Sequence, residues 1–314
     1  MGQSSIVSTD TQIELNITSN GAAYVDLAQC LSIINRRSYR QGMNYAIGSI
    51  EMIAGQSGTV NISTVPTTWV ADNATTKAFE AWKDQRAEVL KEQPSLKAKW
   101  SDFKVFMDET HAQAGTAANL TPVDALSAPY LLGTWDTSEY VCPLPGAAQA
   151  AAGDAQEVRF HVCGDHTPPG PFSPLTTNVG LIQAYADSRA KVLFPDPAVP
   201  TEFDTGFYNV NSLPDEMQVD VMDNVANRND DPPYNVAEYP GGRTNAPTPQ
   251  FRDAMVIRNW GDATTFSSDT AGPFVAPLGL LRFLTSGFDG LFAITVIINL
   301  VPGKYKGVLA ERGL

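Results

Sequence analysis

Residues 67–107 read TTWVADNATTKAFEAWKDQRAEVLKEQPSLKAKWSDFKVFM, and this stretch decides the fold class. From Lys77 to Lys91 the pattern has a helical period. Ala78, Phe79, Trp82 and Val89 fall on one side, and Lys83, Asp84, Arg86, Glu88 and Lys91 on the other. Pro94 ends the helical run. After it, Trp100 to Met107 alternates like a strand. One charged amphipathic helix, an insertion over about residues 72–93, thus stands in a chain that otherwise reads as strands and loops. Strand, long helical insertion, strand is the order of a decorated β-sandwich rather than of a parallel α/β fold.

The flanks agree. Gln12 to Thr18 alternates cleanly, with Ile13, Leu15 and Ile17 on one face. Ala23–Leu27 is a second short strand, followed by an apolar turn through Ile33 and Ile34. Met43 to Ala54 alternates through Tyr45, Ile47 and Ser49. Ser57-Gly58 then turns the chain into Thr59–Ser63, a hairpin signal. Tyr140–Leu144 and Gln156–Cys163 are further strands, Gly180–Lys191 a short helix, and Ala254–Arg258 and Phe292–Leu300 late strands, the last of them an inner one. Long loops are expected at about 108–135, 143–156 and 200–250. The expectation is an all-β chain: one domain over residues 1–314, an eight-stranded jelly-roll sandwich with large loop insertions.

Composition narrows the function. Hydrophobic residues make up 43% of the 314, enough for a sizeable core, while charged residues are only 18%. The net charge is −13, and no Lys or Arg precedes Arg36. A soluble DNA-binding domain normally shows the opposite sign, because phosphate is neutralised by Lys and Arg. The N-terminus lacks a basic region and apolar run, so no secretory signal is expected, and no run is long enough for a membrane helix. Cys30, Cys142 and Cys163 cannot all pair within the chain and read as buried thiols from a reducing compartment.

Four constellations could carry chemistry. Arg36, Arg37 and Arg40 around Tyr39 form the one dense basic patch. They could hold phosphate and stack a base, or make salt bridges across an interface. Asp220, Asp223, Asp230 and Asp231, with Asp215 and Glu216, form an acidic cluster that suits a hard divalent cation or a solvated face. His161, Cys163, Asp165 and His166 lack zinc-ligand spacing and read as a strand end. Asp204-Thr-Gly matches half of an aspartic-protease site, but no second copy exists to share the proton, so a hydrolase using Asp204 is remote. With no nucleophile elbow, P-loop or dinucleotide fingerprint, the expectation is a protein that is not an enzyme. A carbohydrate-binding, lectin-like sandwich is the rival, with Trp135, Tyr140 and Trp260 as its aromatics.

Four segments in order carry a family resemblance: Asn35–Tyr45 (NRRSYRQGMNY), the Trp69–Met107 stretch, Asn229–Gly242 (NDDPPYNVAEYPGG) and Phe274–Leu281 (FVAPLGLL). Together they resemble the capsid proteins of small circular Rep-encoding single-stranded DNA viruses, of the kind associated with marine invertebrates and crustaceans. The resemblance implies a jelly roll that self-assembles as a homo-60-mer into a T=1 icosahedral shell around circular single-stranded DNA. It implies a virion protein, assembled inside the host cell in the nucleus, with an unknown host receptor and no membrane partner. It places Arg36, Arg37, Tyr39 and Arg40 toward the genome and loop 224–242 outside. No cofactor is implied beyond a structural divalent cation at subunit contacts. Such proteins often begin with an arginine-rich arm; this chain does not, so its grip on DNA is expected to be weak.

Overall fold

The computed structural model describes residues 8–55, 58–98, 102–131, 133, 140–143, 155–167, 177–189, 252–260, 267–288 and 293–313. Burial at every second residue, Ile13, Leu15 and Ile17, makes the first strand, β1 (Gln12–Ile17), one-sided as its alternation requires. There follow β2 (Gly21–Asp26), α1 (Leu27–Asn35), β3 (Met43–Ala54), β4 (Gly58–Thr64), α2 (Trp69–Glu92) and α3 (Glu109–Ala114). Next come β5 (Tyr140–Pro143), β6 (Ala155–His161), β7 (Asn178–Gly180) and α4 (Leu181–Arg189). The C-terminal part holds β8 (Arg252–Trp260), β9 (Ser267–Ala271), β10 (Phe274–Ala276), β11 (Leu280–Ser286) and β12 (Ile294–Leu300). It closes with the short β13 (Pro302–Gly303), β14 (Gly307–Val308) and β15 (Ala310–Arg312).

Two antiparallel sheets face each other as a β-sandwich. One has the order β1-β12-β3-β10, with β9 and β15 also on β3; the other has the order β2-β11-β4-β8. Their inner faces share one core. The first sheet sends in Ile13, Leu15, Tyr45, Ile50, Met52, Val296 and Ile298, and the second Val25, Val60, Ile62, Leu281 and Phe283. The expected β3–β4 hairpin is not formed. The two strands lie in different sheets, so the turn signal at Ser57-Gly58 marks a crossing between layers. Strand β12 pairs with β1 on one side and β3 on the other, and is inner as expected. Its burial alternates, however: Ile294, Val296, Ile298 and Leu300 are buried, while Thr295, Ile297 and Asn299 are half-exposed.

Strand β3 changes phase midway. Tyr45 and Ile47 point inward, and so do Ile50, Met52 and Ala54, so Ser49 does not. The register to β12 slips there, with Asn299 opposite Ser49 and Leu300 opposite Ile47, a bulge that uses up Gly48. On the other edge β9 pairs with Ile50–Ala54 and β10 with Tyr45–Ile47, so the partner strand breaks at the same level. Gly272 sits in that break at φ +112°, where a Cβ would lie 3.0 Å from the Gly48 carbonyl oxygen.

A second layer covers the outer face of the second sheet. Tyr24, Val65, Leu278 and Leu280 meet Val70, Ala71 and Ala74 of α2, Val158 and Phe160 of β6, and Ile182 and Tyr185 of α4. Helix α2 begins earlier than its period implies, at Trp69, because the Thr68 hydroxyl caps the Ala71 N–H at 3.3 Å. Its first half carries the buried residues; Val89, expected inside, is 47% exposed. The segment after it is not the expected strand. Every residue from Phe103 to Asp108 is buried, and Phe106 makes a single parallel bridge to His161. Helix α1 replaces the expected apolar turn. Asp26 caps it through the Gln29 N–H at 3.1 Å, and Leu27, Ala28, Cys30 and Leu31 enter the sandwich core. The thiols of Cys30 and Cys163 are buried and free, as expected, and burial raises the pKa of both.

Candidate polyanion-binding surface

Helix α1 ends at Arg36, whose φ of 51° is left-handed and turns the chain outward. The next residues are pinned to both termini. Asn35 exchanges two hydrogen bonds with the Asp10 backbone, at 2.8 and 3.0 Å. Arg37 donates from Nη1 to Thr9 Oγ1 at 3.1 Å and from Nη2 to the Ser8 carbonyl at 3.3 Å. Tyr39 is 1% exposed, and its hydroxyl donates to the Lys306 carbonyl at 2.8 Å. Its ring therefore cannot stack a base, as the sequence reading allowed; Tyr39 instead supports a second cationic loop.

That loop is Gly303-Lys-Tyr-Lys-Gly307, the turn between β13 and β14. Lys306 also has a left-handed φ of 51°. Its Nζ lies 5.7 Å from the Tyr39 ring centroid and 5.6 Å from that of Tyr305, and it donates to the Ser38 carbonyl. Tyr305 accepts a hydrogen bond from the Arg40 N–H at 3.1 Å. Tyr45 beneath donates to the Arg40 carbonyl at 2.7 Å. Gly307, at φ +100°, seals the turn against the N-terminal segment: a Cβ there would lie 2.5 Å from Thr9 Cβ and Oγ1. Arg37, Arg40 and Lys306 thus lie within reach of one another's fields, and the exposed Arg36 and Lys304 flank them in the chain. Burial, then the fields of Arg40 and Arg37, hold the Lys306 ammonium below the usual lysine range, against the opposite pull of Asp102. Among the described residues no carboxylate forms an ion pair with any of the five. Sequence reading found the three arginines but missed Lys304 and Lys306. The available signal was a glycine-bracketed basic turn in an acidic chain.

The buried joint between sandwich and second layer is the other polar assembly. Asp108 accepts from the Tyr24 hydroxyl at 2.8 and 2.9 Å, pairs with Arg282 at 3.4 Å, and caps α3 through the His111 N–H at 2.8 Å. The His111 ring stacks on Tyr24 at 4.2 Å. Its Nδ1 accepts from the Met107 N–H, so the proton is on Nε2 and is donated to Asn119 Oδ1 at 2.6 Å. Asn119 passes the chain on to Gln29 at 2.5 Å. Burial lowers the His111 pKa to about 4. The joint is packed and polar, with Tyr24, Asp108, His111 and Arg282 all buried, and it works as a clamp.

The remaining candidates divide. Asp220, Asp223, Asp230 and Asp231, together with Asp204, Trp135 and loop 224–242, lie outside the described residues, as does the side chain of Trp260. Tyr140 packs its ring on Phe160 at 5.5 Å. His161 is fully buried and its Nε2 bonds the Asp165 carbonyl at 2.8 Å. Among the described residues no three His, Cys, Asp or Glu side chains gather to hold a metal, and no helix is long and apolar enough to cross a membrane. No family model, curated protein or solved structure matches the chain.

Proposed function

We propose that this chain is the subunit of a small T=1 icosahedral capsid that closes around circular single-stranded DNA. One observation supports this reading most: the route of the chain between its two sheets. Strands β1, β3, β9/β10 and β12 fall in one sheet, and β2, β4, β8 and β11 in the other, in the orders β1-β12-β3-β10 and β2-β11-β4-β8. Counting β9 and β10 as one interrupted strand, we read this order as an eight-stranded jelly roll, an architecture that recurs in viral shells. The long insertion between β4 and β8 holds α2, α4 and a three-stranded sheet of order β5-β6-β7, and the ordered resemblance of four segments supplies the virus class. Arg36, Arg37 and Arg40 are the proposed contacts to phosphate, and the contact is weak because the rest of the chain is acidic.

The test is assembly of the purified chain. Sixty copies of a 33.8 kDa subunit come to about 2 MDa. Size-exclusion chromatography with light scattering, followed by negative-stain microscopy, should give closed particles of about that mass. A stable monomer or dimer at all concentrations and salts removes the capsid reading and returns the lectin-like sandwich to the front.

A further inference from the structure

We infer that the Arg36–Arg40 segment and the Lys304–Lys306 turn together form one cradle for the sugar–phosphate backbone of a single-stranded polynucleotide. The two segments are 264 residues apart at their nearest, Arg40 to Lys304, yet the fold locks them together. The locks are the Tyr39 hydroxyl on the Lys306 carbonyl, the Arg40 N–H on the Tyr305 hydroxyl, and the Lys306 Nζ over both tyrosine rings. The first two contacts are made by backbone and hydroxyls, and the third engages the Lys306 ammonium itself. Arg36, Arg40, Lys304 and Lys306 are all exposed, and no described carboxylate pairs with them.

Clustered cations repel one another, and an anion seated among them would relieve that repulsion. Among the described residues, Asp102, whose field reaches Arg40 and Lys306, and Asp10, whose backbone bonds Asn35, are acids beside the patch. Burial raises the Asp102 pKa, against the fields of Lys104 and Arg40. The ligand should be phosphate-bearing, since Arg offers paired donors to phosphate and Lys a point charge. It should be single-stranded because a duplex would set its second strand against the acidic remainder of the surface, whereas one strand can follow two adjacent loops. This inference rests on the capsid reading for the identity of the strand, but not for the cradle.

The experiment measures anisotropy of a labelled oligothymidylate of about 20 nucleotides across about 50 to 200 mM salt. Competitors are the matching duplex, inorganic phosphate and polyglutamate. Variants are Lys304→Gln alone, which removes an exposed side chain with no partner among the described residues, Lys304→Gln with Lys306→Gln, and Arg37→Gln with Arg40→Gln. Lys83→Gln with Lys91→Gln on the outer face of α2 is the charge-matched control. The expected result is that each cradle pair weakens binding about tenfold or more at low salt and lowers the salt slope by about one per cation removed. Lys304→Gln alone should give a smaller loss in the same direction, and the control none. Losses equal to the control's, or equal competition by polyglutamate and oligonucleotide, overturn the cradle. Particles that form normally but bind DNA independently of Lys304 and Lys306 sink the cradle and leave the capsid intact; cradle-dependent binding by a chain that never assembles does the reverse.

Discussion

Removing the Asp108 carboxylate would strand three partners at once: the Arg282 guanidinium, the Tyr24 hydroxyl and the capped N–H of His111. Breaking a buried pair from one side leaves an uncompensated charge, so Asp108→Ala should cost about 3–5 kcal/mol in urea unfolding. Asp108→Asn keeps the volume and an acceptor oxygen and should cost clearly less. Equal losses would mean that Arg282 requires the charge itself and that an acceptor oxygen alone does not serve it. The neighbouring imidazoles give a pH dependence. Burial lowers His111 and His161 to about 4, against an unfolded value of 6.5. Below 6.5 the unfolded chain takes up protons that the folded chain refuses until about pH 4. Stability should therefore fall as pH drops from 6.5 to 4 and then level, by up to about 3 kcal/mol per histidine. The buried Asp26 carboxyl, raised by desolvation, acts in the opposite direction and offsets part of the loss. His111→Asn should show a shallower stability slope over that window than the parent; an unchanged slope would remove His111 as a source.

Helix α2 divides at about Trp82. Val70, Ala71 and Ala74 are buried, Phe79 and Trp82 are half-buried around Phe103, and Val89 is open to solvent. Trp82→Ala should accordingly cost about 1.5–3 kcal/mol, less than a fully buried aromatic, and Val89→Ala less than about 0.5 kcal/mol. A ratio near one in denaturation would mean that the outer half of the helix is packed. Strand β12, bonded on both sides, should hold the slowest-exchanging amides of the sandwich across Ile294–Ile298, in subunit and particle alike. Fast exchange there would remove it from the centre of the sheet. These elements also show what sequence can disclose. Strand β1 is legible because its alternation is unbroken. Helix α1 is not, because nine residues with a short apolar run fit a turn, a strand or a helix alike. The β3–β4 turn was found, but local turn chemistry says nothing about whether the next strand pairs with its predecessor or crosses to the other layer. Residues 103–108 misled because the second layer buries both sides of the segment, and alternation marks only a segment buried on one.

Across the whole molecule, Arg36, Arg37 and Arg40 were legible as a candidate site because they are adjacent in sequence. Lys304 and Lys306 reach them through the return of the chain after β12, which no local pattern reports. The burial of Tyr39 is not legible, because an aromatic among arginines looks the same whether its ring faces solvent or core. Net charge is a property at this scale too. In the proposed shell, sixty copies, each at −13, would repel one another, and that repulsion is screened over about 10 Å at 0.1 M salt but about 3 Å at 1 M. If apolar and backbone contacts close the shell, raising salt should favour particles, with or without DNA. The same change should loosen the strand from the cradle, since phosphate contacts weaken steeply with salt. Light scattering and the nucleic-acid absorbance ratio of purified particles should therefore move in opposite directions between about 0.05 and 1 M salt, toward more assembly and less DNA per particle. Particles that fall apart as salt rises would show instead that ion pairs between subunits, or the DNA itself, hold the shell closed.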